Sequence, residues 1–341
     1  MVAARQPLPI DTVLPDILAA LTLQPNVVVV APPGAGKTTR VAPAILDQPW
    51  CMGAVWLLSP RRLAARAAAE RIAEELGEEV GGLVGYATRL DSKQSPATRL
   101  LVMTPGLFRT RILADPELDG VSAVLFDEVH ERSLDGDFAL ALAIDAQQGL
   151  RDDLRLIAMS ATLDGARFGA LLGDAPLVKS EGKSWPLDLR HIGRRPEDRL
   201  EASLLAAVRQ VLADEAEGDM LAFLPGAADI ERAATAVENA RLPLVVHRLH
   251  GQIDPAVQRK ALVRDPEDRR KLILATSIAE TSLTIDGVRI VIDAGLSRRP
   301  RFDKAAGIAR LVTERASQAS ATQRAGRAAR QGPGVAYRLW E

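Results

Sequence analysis

Short apolar runs alternate with longer amphipathic stretches along the chain, and the alternation occurs twice. An apolar run bounded by turn residues predicts a buried strand, whereas apolar residues at helical spacing, as in Arg62–Leu76, predict a helix. Strands that are apolar throughout, with helices between them, are typical of parallel sheets covered on both faces. The predicted strands are Asn26–Val30, Ala54–Ser59, Leu100–Thr104, Ala123–Asp127 and Leu154–Ser160 in the first series, and Met220–Leu224, Leu244–Leu249, Lys271–Ala275, Arg289–Asp293 and Gly334–Leu339 in the second.

The segment Lys183–Glu201 is rich in Arg, Gly and Pro and separates the two series. Such a composition favours a boundary over a buried element. The 341 residues suffice for two domains of about 100–200 residues each. We therefore expect an α/β protein with two domains, residues 1–185 and residues 186–341, each built on a mainly parallel sheet.

The amino-acid composition excludes several classes of protein. Hydrophobic residues make up 47% of the chain and charged residues 26%, which is ordinary for a chain that buries a core. The single cysteine, Cys51, excludes an internal disulfide framework and a multi-cysteine zinc site. No apolar run reaches about 18 residues, and the first residues, MVAARQPLPID, lack the apolar core of a signal peptide. We expect a soluble, cytoplasmic protein without a membrane partner.

The net charge of −1 conceals an asymmetry along the chain. Val288–Glu341 contains eleven Lys or Arg and four Asp or Glu, a net charge of +7, which leaves −8 for the remaining residues. Because a polyanion responds to local positive surface, the overall charge does not exclude a nucleic-acid partner. A general preference for Arg in the composition of this chain remains an alternative explanation for the basic segment.

The segment Ala31–Thr38, with the sequence APPGAGKT, follows the first predicted strand and precedes a helix-compatible run. Gly34 and Gly36 allow the backbone to curl so that N–H groups point at phosphate oxygens. Lys37 would reach the β- and γ-phosphates, and the Thr38 hydroxyl would ligate Mg²⁺. A chance glycine-rich turn is the alternative, but the strand before it and the helix after it favour a nucleotide site.

A second acidic element follows about ninety residues later. The apolar run that precedes Asp127 and Glu128 predicts that both carboxylates lie at the end of a strand. Adjacent carboxylates are expected where a dication offsets their repulsion. Asp127 would hold Mg²⁺ through water, and Glu128, also close to the metal, would orient or deprotonate the attacking water.

The segment Asp127-Glu-Val-His130, followed by Glu-Arg-Ser133, resembles the DEAH-box signature of superfamily 2 helicases. The opening Leu8–Asp11 and the stretch Ala31–Arg40 look most like the bacterial HrpB-type branch of that family. Further segments occur in the family's order: Ser59–Ala65, Thr104–Gly106, Ser160–Thr162, Phe223–Gly226, Leu249–Gly251, Ala275–Asp286 and Gln323–Arg330.

The resemblance implies two RecA-like domains that face each other, with a nucleotide in the cleft and a nucleic-acid strand across the top. It implies an RNA-stimulated, Mg²⁺-dependent NTPase that binds ATP or other NTPs and moves 3′ to 5′ on a single strand. It also implies that Gln323 positions the attacking water and that Arg327 and Arg330 act as arginine fingers. An exposed basic helix face is the alternative for Gln323–Arg330.

The resemblance extends to further site residues. For the nucleotide it implies Gly34, Ala35, Gly36, Lys37, Thr38, Thr39, Arg71, Ser282, Thr284 and Asp286, with Arg71 against the base. For coupling between the domains it implies His130, Ser160 and Thr162. For the nucleic acid it implies Arg61, Arg62, Thr104, Gly106, Gly226, His250, Gly251 and Thr276.

Three features depart from the family pattern or extend it. The region Ala261–Arg264 lacks the aromatic residue that some relatives place opposite the base. Gly295–Leu311 resembles the β-hairpin with which DEAH members separate strands. The chain stops at Glu341, and we expect the C-terminal accessory domains of the family to be absent.

Other protein classes fit less well. A small GTPase needs an Asn-Lys-x-Asp motif, but neither Asn26 nor Asn239 precedes a lysine. A nucleotide kinase would not need the arginine-rich second half. His247 and His250 have no cysteine nearby and are interpreted as structural with respect to metals. A nucleotide-controlled RNA clamp that does not unwind, and a DNA-directed helicase, stay open. We expect a monomer acting on single-stranded RNA, with DNA as the alternative.

Overall fold

The computed structural model describes residues 7–161, 165–182, 185–194, 197–251, 253–280, 285–303 and 307–340. The chain divides into two compact units, Met1–Lys183 and Ser184–Glu341. In the described part of the chain, no helix has the length and apolar character needed to cross a membrane.

The first unit is built on one eight-stranded sheet, in the order β4-β3-β5-β2-β6-β7-β1-β8. Its strands pair in parallel except for β3 and β4, which are antiparallel. The strands are β1 (Asn26–Val30), β2 (Ala54–Leu58), β3 (Val84–Ala87), β4 (Ser92–Lys93), β5 (Leu100–Met103), β6 (Val121–Phe126), β7 (Arg155–Ser160) and β8 (Leu177–Lys179).

Helices cover both faces of this sheet. Val27 and Val29 of β1 pack into one core, whereas Val28 and Val30 pack into a second core on the opposite face. This two-sided burial explains why β1 is apolar throughout. The helices are α1 (Leu14–Leu23), α2 (Lys37–Leu46), α3 (Arg62–Leu76), α4 (Pro105–Ala114), α5 (Leu134–Gly149) and α6 (Gly165–Leu171), and 3₁₀ turns occupy Pro9–Thr12 and Val129–Glu131.

The second unit contains a six-stranded parallel sheet, in the order β11-β12-β10-β13-β16-β9. The strands are β9 (Leu187–His191), β10 (Asp219–Phe223), β11 (Val245–Leu249), β12 (Lys271–Ala275), β13 (Val288–Asp293) and β16 (Gly334–Arg338). The helices are α7 (Leu200–Asp214), α8 (Ala227–Asn239), α9 (Pro255–Leu262) and α10 (Gln318–Gly326), with a 3₁₀ turn at Ser277–Ala279.

A separate antiparallel hairpin interrupts the second unit between β13 and α10. It consists of β14 (Leu296–Asp303) and β15 (Ile308–Arg315), which pair along their whole length. The resemblance placed a hairpin at Gly295–Leu311, and the observed second strand runs four residues further, to Arg315.

The predicted α/β class with mainly parallel sheets is confirmed. The ten predicted strands all overlap observed ones, but β3, β4, β8 and β9 were missed. Of these, β9 lies inside Lys183–Glu201, the segment expected to be a boundary. For β9 the physical reason is exposure: it is an edge strand without a fully buried residue, so it carries no apolar run. The strands β3, β4 and β8 are only two to four residues long, too short to form a distinct apolar run.

Candidate functional site

The glycine-rich loop connects β1 to the N-terminus of α2. Gly34 and Gly36 adopt left-handed conformations, with φ of 83° and 95°, which glycine adopts without a steric penalty. Lys37 begins α2 and is buried, and its Nζ donates to the carbonyl of Ala31 at 2.5 Å. The loop therefore presents a helix N-terminus and a lysine, as phosphate binding requires.

The residues before α1 support this loop, a role that the sequence analysis missed. The N–H of Ile10 donates to the carbonyl of Ala35 at 3.0 Å. A Cβ at Gly36 would lie 2.7 Å from Cδ1 of Leu8, so a larger residue there would have to displace the Leu8 side chain in addition to adopting the left-handed conformation. The likeness of Leu8–Asp11 to one family branch was a signal that pointed to this segment.

Asp127 and Glu128 follow β6 and face the start of α2. The Thr38 hydroxyl donates to Oδ2 of Asp127 at 2.8 Å, so two of the predicted metal ligands are adjacent. Both carboxylates are buried. Burial, together with the neighbouring charge of Glu128, raises the pKa of Asp127 to about 7, and Lys37 opposes that change.

The backbone at Glu128 is held in an uncommon conformation. Its φ is 53°, in the left-handed region that costs a residue other than glycine conformational energy. The N–H of Glu128 donates to Oδ1 of Asp127 at 3.0 Å, and the 3₁₀ turn Val129–Glu131 begins immediately afterwards. The chain therefore leaves the extended strand geometry directly after Asp127.

His130 and Ser160 lie close to both elements. Nδ1 of His130 accepts a hydrogen bond from the N–H of Ala161 at 3.2 Å and lies 3.5 Å from Oε2 of Glu128. The carbonyl of Ser160 accepts the N–H of Ala31 at 3.1 Å. The structure thus brings these two predicted coupling residues to the phosphate loop and to Glu128, while Thr162 lies outside the described residues.

The predicted nucleic-acid residues of the first unit lie at helix starts. Arg61 precedes α3 and pairs with Glu131 at 3.6 Å, and Arg62 is the exposed first residue of that helix. Thr104 is the N-cap residue of α4, and Gly106 lies in its first turn. Both helices follow parallel strands, so these residues lie at the carboxyl edge of the sheet.

Arg71, expected against the nucleotide base, is held within α3. Its Nε donates to Oε1 of Glu75 at 2.9 Å, and Nη1 donates to Oε2 of Glu74 at 3.0 Å. The second oxygen of Glu75 lies 3.1 Å from Arg40 of α2. Arg71 is therefore linked to the phosphate-loop helix through one carboxylate.

In the second unit, Gln323–Arg330 is not an exposed basic face. Arg327 is only 3% exposed, and its Nε donates to the carbonyl of Glu280 at 2.8 Å. Gln323 and Arg330 are half-buried. The surface-helix alternative is therefore wrong for Arg327, and this side chain has one fixed position.

Asp286 is also fixed. Its Oδ1 accepts a hydrogen bond from Nε2 of Gln331 at 3.1 Å, while Oε1 of Gln331 accepts the N–H of Gly287 at 3.0 Å. The structure thus ties Asp286 to the residue that follows Arg330. Ser282 and Thr284, the other predicted nucleotide residues of this segment, lie outside the described residues.

The predicted nucleic-acid residues of the second unit follow three neighbouring strands. Gly226 is the N-cap residue of α8, after β10, and a Cβ there would lie 2.8 Å from the guanidinium of Arg298. His250 is buried and Gly251 is exposed after β11. Thr276 precedes a 3₁₀ turn after β12, and its N–H donates to Leu249.

Two family models match the chain. Residues 12–168 match the DEAD/DEAH box helicase model, and residues 203–332 match the helicase conserved C-terminal domain.

Relatives of known name match along nearly the whole chain. ATP-dependent RNA helicase HrpB of Escherichia coli (strain K12) is 46% identical over 333 residues, which are 97% of this chain and 41% of that protein. Pre-mRNA-splicing factor ATP-dependent RNA helicase prp22 of Schizosaccharomyces pombe is 34% identical over 345 residues, 98% of this chain and 29% of that protein. The chain thus spans less than half the length of these relatives.

Two solved structures are similar to this chain over almost its whole length. The E. coli DEAH/RHA helicase HrpB superposes with a TM-score of 0.92 at 46% identity, over 98% of this chain and 43% of that one. A second structure, of the E. coli DExH-box NTPase HrpB, gives a TM-score of 0.86 at 46% identity, over 99% and 42%. The expected likeness to the HrpB-type branch and the expected tandem RecA-like fold are confirmed.

Proposed function

The chain belongs to the DEAD/DEAH box helicases, and from this membership we propose that it is an ATP-dependent RNA helicase. In this proposal, RNA stimulates ATP hydrolysis, and the protein moves as a monomer 3′ to 5′ along a single strand. Its two motor domains comprise residues 1–185 and 186–341. The observation that carries the proposal is the hydrogen bond between Thr38 of the phosphate loop and Asp127 of the acidic strand end.

The residues around Asp127 fit a magnesium ion. A hydroxyl and a carboxylate are hard oxygen ligands, and they already lie 2.8 Å apart. The described residues contain no group of three or more His, Cys, Asp or Glu that could cage a metal. Mg²⁺ does not need such a cage, since it uses one or two carboxylates together with phosphate oxygens and water. Thr38 and Asp127 would hold the ion, whose charge would offset that of the phosphates.

Residues of both units supply the remaining chemistry in this proposal. Lys37 and the loop N–H groups bind the phosphates. Glu128 orients or deprotonates the attacking water, and its Oε2 is suited to this because it is buried without a hydrogen-bond partner among the described residues. Gln323 positions the water, and Arg327 and Arg330 stabilise charge on the transferring phosphoryl group.

The nucleic-acid residues contact the backbone and do not read the bases. Arginines and hydroxyls such as Arg61, Arg62, Thr104 and Thr276 suit phosphate contacts, which fix register without carrying sequence information. The hairpin β14–β15 separates the strands. We therefore expect little sequence preference.

A strand-separation assay tests this function. Labelled RNA duplexes with a 3′ or a 5′ single-stranded tail are incubated with the chain, ATP and Mg²⁺, and a matching DNA duplex is assayed in parallel. The proposal predicts release from the 3′-tailed RNA duplex and none with Glu128→Gln. RNA-stimulated hydrolysis without release would favour the RNA clamp, and release of DNA alone would favour a DNA-directed helicase.

A further inference from the structure

The guanidinium of Arg324 lies inside the second unit, with only 1% of the residue exposed. Its Nε donates to Oε1 of Glu280 at 2.8 Å, and its Nη1 donates to Oδ1 of Asp293 at 2.8 Å. Nη1 also donates to the carbonyl of Leu296 at 3.1 Å. One buried cation thus joins three separate segments of chain.

Two of these contacts fix the root of the hairpin. Leu296 is the first residue of β14, and Asp293, the last residue of β13, also accepts the N–H of Gly295 at 2.8 Å. The carbonyl of Gly295 accepts a hydrogen bond from the N–H of Ala316, the residue after β15, and so joins the two strands at the same root. Any displacement of the hairpin root therefore acts directly on the Arg324 guanidinium.

The third contact leads to Arg327. Glu280 binds Arg324 through its carboxylate, and its main-chain carbonyl accepts Nε of Arg327 at 2.8 Å. The hydroxyl of Ser320, in the first turn of α10, also donates to Oε1 of Glu280 at 2.8 Å. Glu280 is therefore held by residues of α10 on one side and holds the side chain of Arg327 on the other.

This network transmits small movements because of its burial. Hydrogen bonds of about 2.8 Å weaken steeply when a partner moves by roughly 1 Å, and a buried charge that loses its partner has no water to replace it. A shift at Leu296 or Asp293 must therefore be followed by Arg324. Glu280 then moves with Arg324, or one of the buried pairs breaks.

The outer part of the hairpin is suited to a polyanion. Arg299 and Arg310 are 58% and 62% exposed, and Phe302 is 63% exposed. Guanidinium groups bind phosphates, and an exposed aromatic ring offers a surface for a base.

We propose that Arg324 is a positioning residue that couples the hairpin to Arg327, so that a nucleic-acid strand bound at the hairpin changes the rate of ATP hydrolysis. This inference rests on the proposed function, because it assigns a route by which RNA stimulates the NTPase.

The first test compares RNA-stimulated and basal ATP hydrolysis in Arg324→Lys and Asp293→Asn. Lysine keeps the charge of Arg324 but cannot bond Glu280, Asp293 and Leu296 together, and asparagine removes the charge at the hairpin root. The ratio of stimulated to basal kcat should fall at least about fivefold in both variants. The affinity for single-stranded RNA should change by less than about twofold, since neither side chain is exposed.

The control is Glu314→Gln, which removes a carboxylate from the same hairpin but affects only the surface pair with Arg299. This variant should retain the parent's ratio of RNA-stimulated to basal kcat. Circular dichroism checks that Asp293→Asn is folded. The proposal is overturned if this variant keeps the parent's ratio of stimulated to basal kcat, whether both rates are unchanged or both fall in the same proportion.

A second measurement does not depend on RNA stimulation. Amide hydrogen exchange is followed on the full chain without nucleic acid, for the parent, Asp293→Asn and Glu314→Gln. Exchange in Gln318–Gly326 and in 327–330 should be several-fold faster in Asp293→Asn alone. If RNA fails to stimulate the parent, the proposed function fails, and unchanged exchange in Asp293→Asn would separately overturn the coupling through Arg324.

Discussion

Asp127 and Asp293 lie at comparable places in the two units, at the carboxyl end of an inner strand of a parallel sheet, yet their partners differ. Asp293 is bonded to the buried guanidinium of Arg324 at 2.8 Å. Asp127 accepts hydrogen bonds from the Thr38 hydroxyl and the N–H of Glu128 and has a second carboxylate next to it.

The two aspartates thus occupy similar positions in their sheets but have different roles. Arg324 pairs directly with Asp293 and opposes the rise in pKa that burial causes in this carboxyl, so the carboxylate anchors neighbouring segments. Asp127 lies in a pair of buried carboxylates for which Lys37 offers only partial compensation, so the pair favours an additional cation.

Glu128→Gln should lower ATP turnover by about 10²-fold or more while ATP binding is retained, because a missing general base typically costs that much. Single-turnover hydrolysis and equilibrium binding of ATP measure the two quantities separately. Glu70→Gln, a surface change in α3, serves as the control. Retained turnover in Glu128→Gln would place the base elsewhere.

Arg327→Ala should lower kcat by roughly 10²-fold, since an arginine that stabilises the transferring phosphoryl group acts mainly in the transition state. The KM for ATP should change much less. Arg232→Ala removes an exposed arginine of α8 and is the matched control. If kcat and ATP affinity fell equally, Arg327 would be an ordinary binding residue.

Lys37→Ala should weaken ATP binding by roughly 10- to 100-fold, which corresponds to the loss of a hydrogen bond to a charged group worth about 1.5–3 kcal/mol. It also removes the positive charge that opposes the rise in the pKa of Asp127. Fluorescent-nucleotide titration measures the affinity. An unchanged dissociation constant would contradict the assignment of the phosphate site.

The two aspartates should respond oppositely to loss of charge. Asp293→Asn should destabilise the chain by about 1–3 kcal/mol, because it removes one of the two carboxylates that pair with the buried Arg324 guanidinium. Asp127→Asn should stabilise it in EDTA at pH 8, because it relieves a buried carboxylate beside Glu128. Thermal unfolding of both variants measures this difference.

The contribution of Asp127 to the stability of the fold depends on pH in a defined direction. The pKa of Asp127 is about 7 in the folded chain and about 3.9 in an unfolded one, so the folded state binds more protons between these values. Its contribution to stability therefore falls as the pH rises from about 4 to 7. The advantage of Asp127→Asn should appear over that range, and an advantage independent of pH would contradict the contrast.

Much of the fold was predictable because the buried strands carry their own signal. The predicted bounds of β1, β12 and α3 agree with the structure residue for residue, since continuous apolar runs and helical spacing are local patterns. The edge strand β9 carries neither pattern and was missed.

The candidate site was predictable in its residue types but not in its packing. The segment Ala31–Thr38 indicates phosphate binding by itself, whereas the contact of Leu8 with Gly36 depends on the folded chain. Similarly, Arg324 looks like one more basic residue in the sequence. Its burial depends on Asp293 and Glu280, which lie 31 and 44 residues away along the chain.

Steady-state ATP hydrolysis by the full chain, with and without single-stranded RNA, tests the central claim most directly. Glu128→Gln supplies the background rate, and single-stranded DNA is a parallel addition. We expect Mg²⁺-dependent hydrolysis that RNA increases several-fold and that Glu128→Gln lowers to the background rate. Hydrolysis that proceeds at the same rate with and without RNA, or that persists in Glu128→Gln, would contradict it.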